Sequence, residues 1–113
     1  MGFQSKEGSV NIKELSENVE LDEETYIELL TLFHETTLSD LKKIDSALRE
    51  GSAGRVADAA HSIKGAASSL GIIDMYEAAK EVEIKGRQNM LDSIEEAISL
   101  LKEKISGMEA VLP

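Results

Sequence analysis

The residues best able to do chemistry stand together in AHSIKGAASSLG, from Ala60 to Gly71. His61, Lys64 and Gly65 interrupt what otherwise reads as an alanine-rich helix, and an interior glycine costs such a helix about 1 kcal/mol relative to alanine. An imidazole with an ordinary pKa of about 6.5 is largely neutral at pH 7 and keeps one ring nitrogen with a free lone pair, a nucleophile. Its natural electrophile beside a lysine is a phosphoryl group, because phosphoryl transfer asks a protein mainly for alignment and for positive charge near the equatorial oxygens. With no cysteine in the chain, any nucleophile or ligand has to be His, Lys, Ser or a carboxylate.

The helical wheel decides whether these residues share a face. Val56, Ala60, Ile63, Ala67 and Leu70 fall within roughly 80° and mark the core side. Lys64, Ser68, His61 and Gly65 follow one another over about 100°, centred roughly 120° from that direction. Residues three and four apart are surface neighbours, so Lys64 reaches whatever is attached to His61. Gly65 leaves bare backbone beside them, clearance for another protein's surface.

Other candidates read more plainly. A lone helical histidine is ordinarily a boundary residue, and His34, at the edge of the Tyr26 to Phe33 stripe without lysine or glycine beside it, is read so. The hydroxyl of Ser68 has the competing option of bonding its own backbone. Arg87 and Lys85 either add a positive rim or complement a helix C-terminus. Glu23 with Glu24 and Glu95 with Glu96 suit helix starts, and two histidines on separate helices make no metal site.

Positioning falls to helices, since periodicity is helical nearly throughout and no repeat stands out. Residues 1–10 read as a flexible N-terminus and 11–113 as one helical domain. NIKELSENVE suggests a short first helix resting Ile12, Leu15 and Val19 on the rest. Asp22 is a good N-cap for a segment reaching Gly51, either one long helix or two broken near Thr36 and Thr37. The motif helix starts after Ser52 and stops at Gly71. Capping-box spacings at Asp74 with Glu77 and at Asp92 with Glu95 suggest starts for two more helices, the first running to about Gly86. Short links make successive helices antiparallel, so the expected fold is all-α: an up-down-up-down four-helix bundle with a short additional N-terminal helix.

Charge narrows the function. Twenty-two acidic residues against 12 basic ones leave a net charge of −10, which opposes phosphate backbones and anionic membranes. No nucleic-acid or membrane partner is expected. The start MGFQSKEG has neither a signal-peptide core nor a myristoylation pattern, and the expected location is cytoplasmic.

AHSIKGAASSLG resembles the signature of histidine-containing phosphotransfer (HPt) domains: Ala60 before the histidine, Lys64-Gly65 after it, then Ala66, Ala67 and a closing Leu70-Gly71. VEIKGR, from Val82 to Arg87, is similar to the family's Leu-Glu-x-x-Gly-Arg, and ELLTLFHE to its Leu-Leu-x-x-Phe helix, so the likeness runs from about residue 11 to 105. The resemblance implies a four-helix bundle whose histidine takes a phosphoryl group from a receiver-domain aspartate and gives it to another, without kinase activity of its own. It implies His61 as phosphoacceptor through Nε2, and Glu83 as hydrogen-bond partner of the other ring nitrogen. Lys64, Gly65, Ser68 and Arg87 complete the phosphoryl- and partner-binding set. No metal or cofactor is implied beyond Mg²⁺ in the partner receiver. The implied partners are response-regulator receivers and a hybrid histidine kinase, met by a monomer.

Two departures bear on the detail: Val82 replaces the usual leucine, and Ala66 stands where many members carry a serine. Two alternatives are a binding module that regulates a receiver or kinase without being phosphorylated, and the phosphoacceptor domain of a chemotaxis-type kinase, whose motif more often ends in Phe-Gly. A metal- or cofactor-binding bundle enzyme would need inward Glu/His sets that the sequence lacks.

Overall fold

The computed structural model describes residues 11–112; the N-terminal stretch 1–10, read above as flexible, lies outside them. Five α-helices follow one another: α1 (Ile12–Asn18), α2 (Glu23–Arg49), α3 (Ala53–Leu70), α4 (Ile73–Arg87) and α5 (Ile94–Glu109), with a 3₁₀ turn at Leu91–Ser93 leading into the last. Helices α2 to α5 pack as an antiparallel bundle, each against its chain neighbour and α5 back against α2, while α1 lies on α2. The expected architecture is the observed one.

α2 is a single helix of 27 residues. At 1.5 Å per residue it spans about 40 Å, which sets the 41 Å long dimension of the molecule. The threonines do not break it. Thr31 and Thr36 donate their hydroxyl protons to the carbonyls of Ile27 and Leu32 four residues back, at 2.8 and 3.1 Å, and neither Pro nor Gly interrupts the run. Asp22 caps its start, accepting from the Thr25 backbone N–H.

The two capping boxes suggested for the later helices do not form. α4 begins at Ile73 with Ile72 in the cap position, and Asp74 lies in the first turn, 3.8 Å from Lys104. α5 begins at Ile94 after the 3₁₀ turn that contains Asp92, and Ser93 caps it without a side-chain bond. In both cases burial of an isoleucine sets the start, since Ile72 and Ile94 are essentially inaccessible. An interior position for either is worth about 1.5–3 kcal/mol, more than a cap's ~1 kcal/mol.

Gly71 closes α3 in the left-handed conformation at φ 73°, and the Ile72 N–H returns to the Ala67 carbonyl at 3.0 Å. That reversal sends the chain directly into α4. The core between the helices is aliphatic: Leu30, Ile44, Ile63, Met75, Ile94, Leu101 and Met108 are fully buried. Tyr26 joins them with its hydroxyl satisfied, donating to the Leu70 carbonyl at 2.7 Å and so pinning α2 to the end of α3. Burial pushes its phenol up to about 12.

α3 and α4 make the closest approach. A Cβ on Gly86 would lie 2.9 Å from the Ala57 Cβ and 3.0 Å from the Ala53 carbonyl oxygen and the Ala57 nitrogen. Small residues on α3 and a glycine on α4 therefore let two backbones meet, and polar side chains on one edge of that seam come within bonding reach of each other.

Candidate functional site

That edge carries the motif. His61 projects from α3 with 62% of its side chain exposed, and its Nδ1 lies 2.9 Å from Oε2 of Glu83 on α4. Lys64, one turn along α3, donates from Nζ to Oε1 of the same carboxylate at 2.8 Å. Glu83 is only 13% exposed, so it forms the floor between them. Desolvation alone would raise its pKa, but the bonds from Lys64 and His61 outweigh burial and hold it below the usual 4.5. Lys64 responds in the opposite sense: its bond to Glu83 raises it above 10.5 against a smaller desolvation effect.

The tautomer of His61 follows. An ionised carboxylate only accepts hydrogen bonds, so Nδ1 is the ring nitrogen that carries the proton. In the neutral imidazole Nε2 is then the bare nitrogen, on the outward side of the ring. Three elements cooperate here: α3 presents the ring, α4 supplies the carboxylate, and the Gly86 crossing brings the two close enough to bond.

Gly65 adds open backbone. An added Cβ would meet nothing within 4 Å, so no contact inside this chain requires a glycine there. Ser68 is exposed on the same face, one turn beyond Lys64. Arg87 reaches the site from the end of α4: Nη1 donates to Oδ1 of Asp58 at 3.0 Å, and Nη2 stands 3.8 Å from Oε2 of Glu83. Lys85, considered beside Arg87 as a rim charge, turns away to Glu81 at 3.6 Å and Ser93 at 3.5 Å. His34 pairs with Glu109 at 3.0 Å, bridging α2 to α5. Asp58 is the site residue that sequence reasoning missed; the signal available was its place one turn before His61 on the same stripe.

Two depressions flank this face. Beyond Gly65 an apolar groove of about 470 Å³ runs between α2 and α3, lined by Leu29, Leu32, Phe33, Thr36, Ala66 and Ser69 among others; Leu32 is 60% exposed. On the other side Asp40, Lys43, Arg55, Asp58, Ala59 and Ser62 line a polar cleft of about 360 Å³. Among the described residues no group of three His, Asp or Glu side chains is placed to hold a metal ion.

Comparison with known proteins bears on the family and the fold. The family model described as "Hpt domain" matches residues 28–111. No curated protein sequence matches the chain. Among solved structures, histidine-containing phosphotransfer protein B from Pseudomonas aeruginosa superposes with a TM-score of 0.79 at 24% identity, over 91% of this chain and 90% of that one. At that identity the likeness establishes a shared fold.

Proposed function

This chain belongs to the Hpt domain family, the phosphocarriers that relay phosphoryl groups among the kinases and receiver domains of two-component systems, and from that premise we propose that His61 is its phosphoacceptor. The observation that carries the proposal is the Glu83 carboxylate on Nδ1, 2.9 Å away. It leaves Nε2 as the free nucleophile on a ring that is 62% exposed.

The step balances without an external base. Nε2 attacks the phosphorus of a receiver's aspartyl phosphate; the N–P bond forms as the P–O bond to the aspartate carboxylate breaks, and that carboxylate leaves as an anion. The ring becomes a phosphoimidazolium that keeps its Nδ1 proton, and the positive charge it gains faces Glu83. The pair keeps the phosphohistidine a good donor for the reverse step onto a second aspartate. Lys64 is within reach of the phosphoryl oxygens once they arrive and exchanges its Glu83 contact for them.

The docking face in this reading comprises the bare backbone of Gly65 with Ser68 and the neighbouring apolar groove, and its occupant is the receiver that brings the aspartate. The carrier needs no cofactor, the Mg²⁺ belonging to the receiver, and has no kinase activity of its own. No described helix is long and apolar enough to cross a membrane; we place the protein in the cytoplasm as a monomer.

The test is to incubate the protein with phosphorylated candidate receivers and follow acid-labile, base-stable label. Wild type is expected to take label, and His61→Gln to take none while still binding the receiver. Equal labelling of His61→Gln, or no labelling of wild type by any cognate receiver, would refute the assignment.

A further inference from the structure

We propose that Asp58 is a positioning residue for His61, acting by holding Arg87 away from the oxygen of Glu83 that orients the ring. Asp58, His61 and Lys64 occupy one stripe of α3 at intervals of three residues, opposite Glu83 and Arg87 one turn apart on α4. Glu83 therefore has three hydrogen-bond donors around two oxygens. Lys64 takes Oε1 at 2.8 Å, His61 takes Oε2 at 2.9 Å, and Arg87 Nη2 stops 3.8 Å from that same Oε2, beyond hydrogen-bond range.

Left alone, Arg87 would not stop there. A glutamate four residues before an arginine is the favourable order for an intrahelical pair, and a guanidinium prefers to engage a carboxylate through two parallel bonds. That engagement would take Oε2 from the imidazole. Asp58 supplies the competing carboxylate across the helix seam, binding Nη1 at 3.0 Å. The Asp58–Arg87 pair is too exposed to matter much to stability, with side chains 71% and 50% accessible. Its effect is on where the guanidinium sits.

The chemical consequence is a tautomer. With Oε2 free, Nδ1–H has its acceptor and Nε2 stays bare; with Oε2 occupied by Arg87, the ring reverts to the Nε2–H form that an unconstrained imidazole prefers, and the nucleophile is capped by its own proton. The tautomer claim needs only the resting geometry, whereas its bearing on rate rests on His61 being the phosphoacceptor.

Nitrogen-15 NMR of the His61 ring in unphosphorylated protein reads the tautomer directly, at about pH 8.5, roughly two units above the ordinary imidazole pKa. Wild type should be mainly Nδ1–H. Asp58→Ala should move the ring mainly to Nε2–H and slow uptake of label from a phosphorylated receiver roughly tenfold. Its melting temperature should change by no more than about 2 °C. Asp58→Ala combined with Arg87→Gln removes the competitor and should return the ring to Nδ1–H. An unchanged tautomer in Asp58→Ala, or a double variant that stays Nε2–H, overturns the proposal. Wild type that takes no label refutes the phosphoacceptor reading instead, and the tautomer result still decides the role of Asp58.

Discussion

The tripeptide Ile-Lys-Gly occurs twice, as Ile63-Lys64-Gly65 on α3 and Ile84-Lys85-Gly86 on α4, and the two copies do opposite things. In the first the isoleucine is fully buried and the glycine looks onto open space; in the second the isoleucine is 38% exposed and the glycine is buried against Ala57. Lys64 braces Glu83 at the histidine, and Lys85 reaches to Glu81 and Ser93. The difference is helical phase. On α3 the core stripe passes through Ile63 and Ala67, which throws Gly65 to the outer side. On α4 it passes through Ala78, Ala79 and Val82, which brings Gly86, one turn after Val82, onto the inner side. Identical local sequence thus lies on an exposed polar face in one copy and in a packing seam in the other.

The largest expected contrast lies in the lysines. Lys64→Ala removes the cation that the proposed mechanism sets beside the phosphoryl oxygens and should slow phosphotransfer roughly 100-fold, the usual scale for loss of one well-placed charge-stabilising donor. Lys85→Ala should leave transfer within about twofold, because its ammonium serves Glu81 and Ser93. Rapid-quench labelling from one phosphorylated receiver measures both, and equal losses would break the contrast.

The glycines come next, with stability changes of opposite sign. Gly86→Ala pushes a methyl against one side chain and two backbone atoms at 2.9–3.0 Å. Overpacking of about 2–3 kcal/mol, offset by about 1 kcal/mol of helix propensity, leaves a net loss of about 1–2 kcal/mol, or roughly 4–8 °C in Tm. Gly65→Ala meets nothing, so it should gain up to about 1 kcal/mol and roughly 4 °C. In the proposed docking mode the same methyl faces the receiver and should slow transfer about tenfold. A more stable but slower Gly65→Ala would place the reason for that glycine outside its own chain; a variant that transfers at the wild-type rate would remove the docking argument.

These particulars show what was legible in the chain. The order of the main helices could be read because their apolar stripes are long and because Gly51 and Gly71 stop two of them in the left-handed conformation. The shared face of His61, Lys64 and Gly65 needed only the geometry of one helix. The Glu83 contact came through the family resemblance, since partners 22 residues apart meet only once two helices are set in register. Asp58 and the packing at Gly86 depend on that same register: the place of Asp58 one turn before His61 was the one local signal, but an aspartate on an exposed stripe reads as solvated, and the alanine opposite a glycine is unknown until the helices cross. The capping boxes misled because cap spacing is local, whereas burial of Ile72 and Ile94 is a tertiary gain. The continuity of α2 was open because threonines disfavour helix interiors; in the fold Thr36 bonds the Leu32 carbonyl four residues back and Thr37 is buried on the inner face, and neither setting shows in the sequence.

The smallest expected effect concerns acid stability, where the two lysine environments again part. Glu83 has its folded pKa lowered below 4.5 by Lys64 and His61 despite burial. A carboxyl whose pKa is lower folded than unfolded contributes stability above the unfolded value and loses it as pH falls through the folded one. Lys64, raised above 10.5, contributes below its unfolded value and loses it only as pH rises through the folded one, so the brace is intact at neutral pH and fails first on the acid side. Thermal melts of wild type and Glu83→Gln between about pH 7 and pH 3 should therefore show a gap that is widest near neutrality and begins to close below about pH 4.5. Glu81→Gln, whose carboxylate is half-exposed and 3.6 Å from Lys85, should shift the melt little anywhere in that range. A Glu83 gap of constant width across the titration would mean that its packing, and not its charge, holds the seam, and the two Ile-Lys-Gly copies would then differ in which residues face the core but not in the electrostatic weight of their lysines.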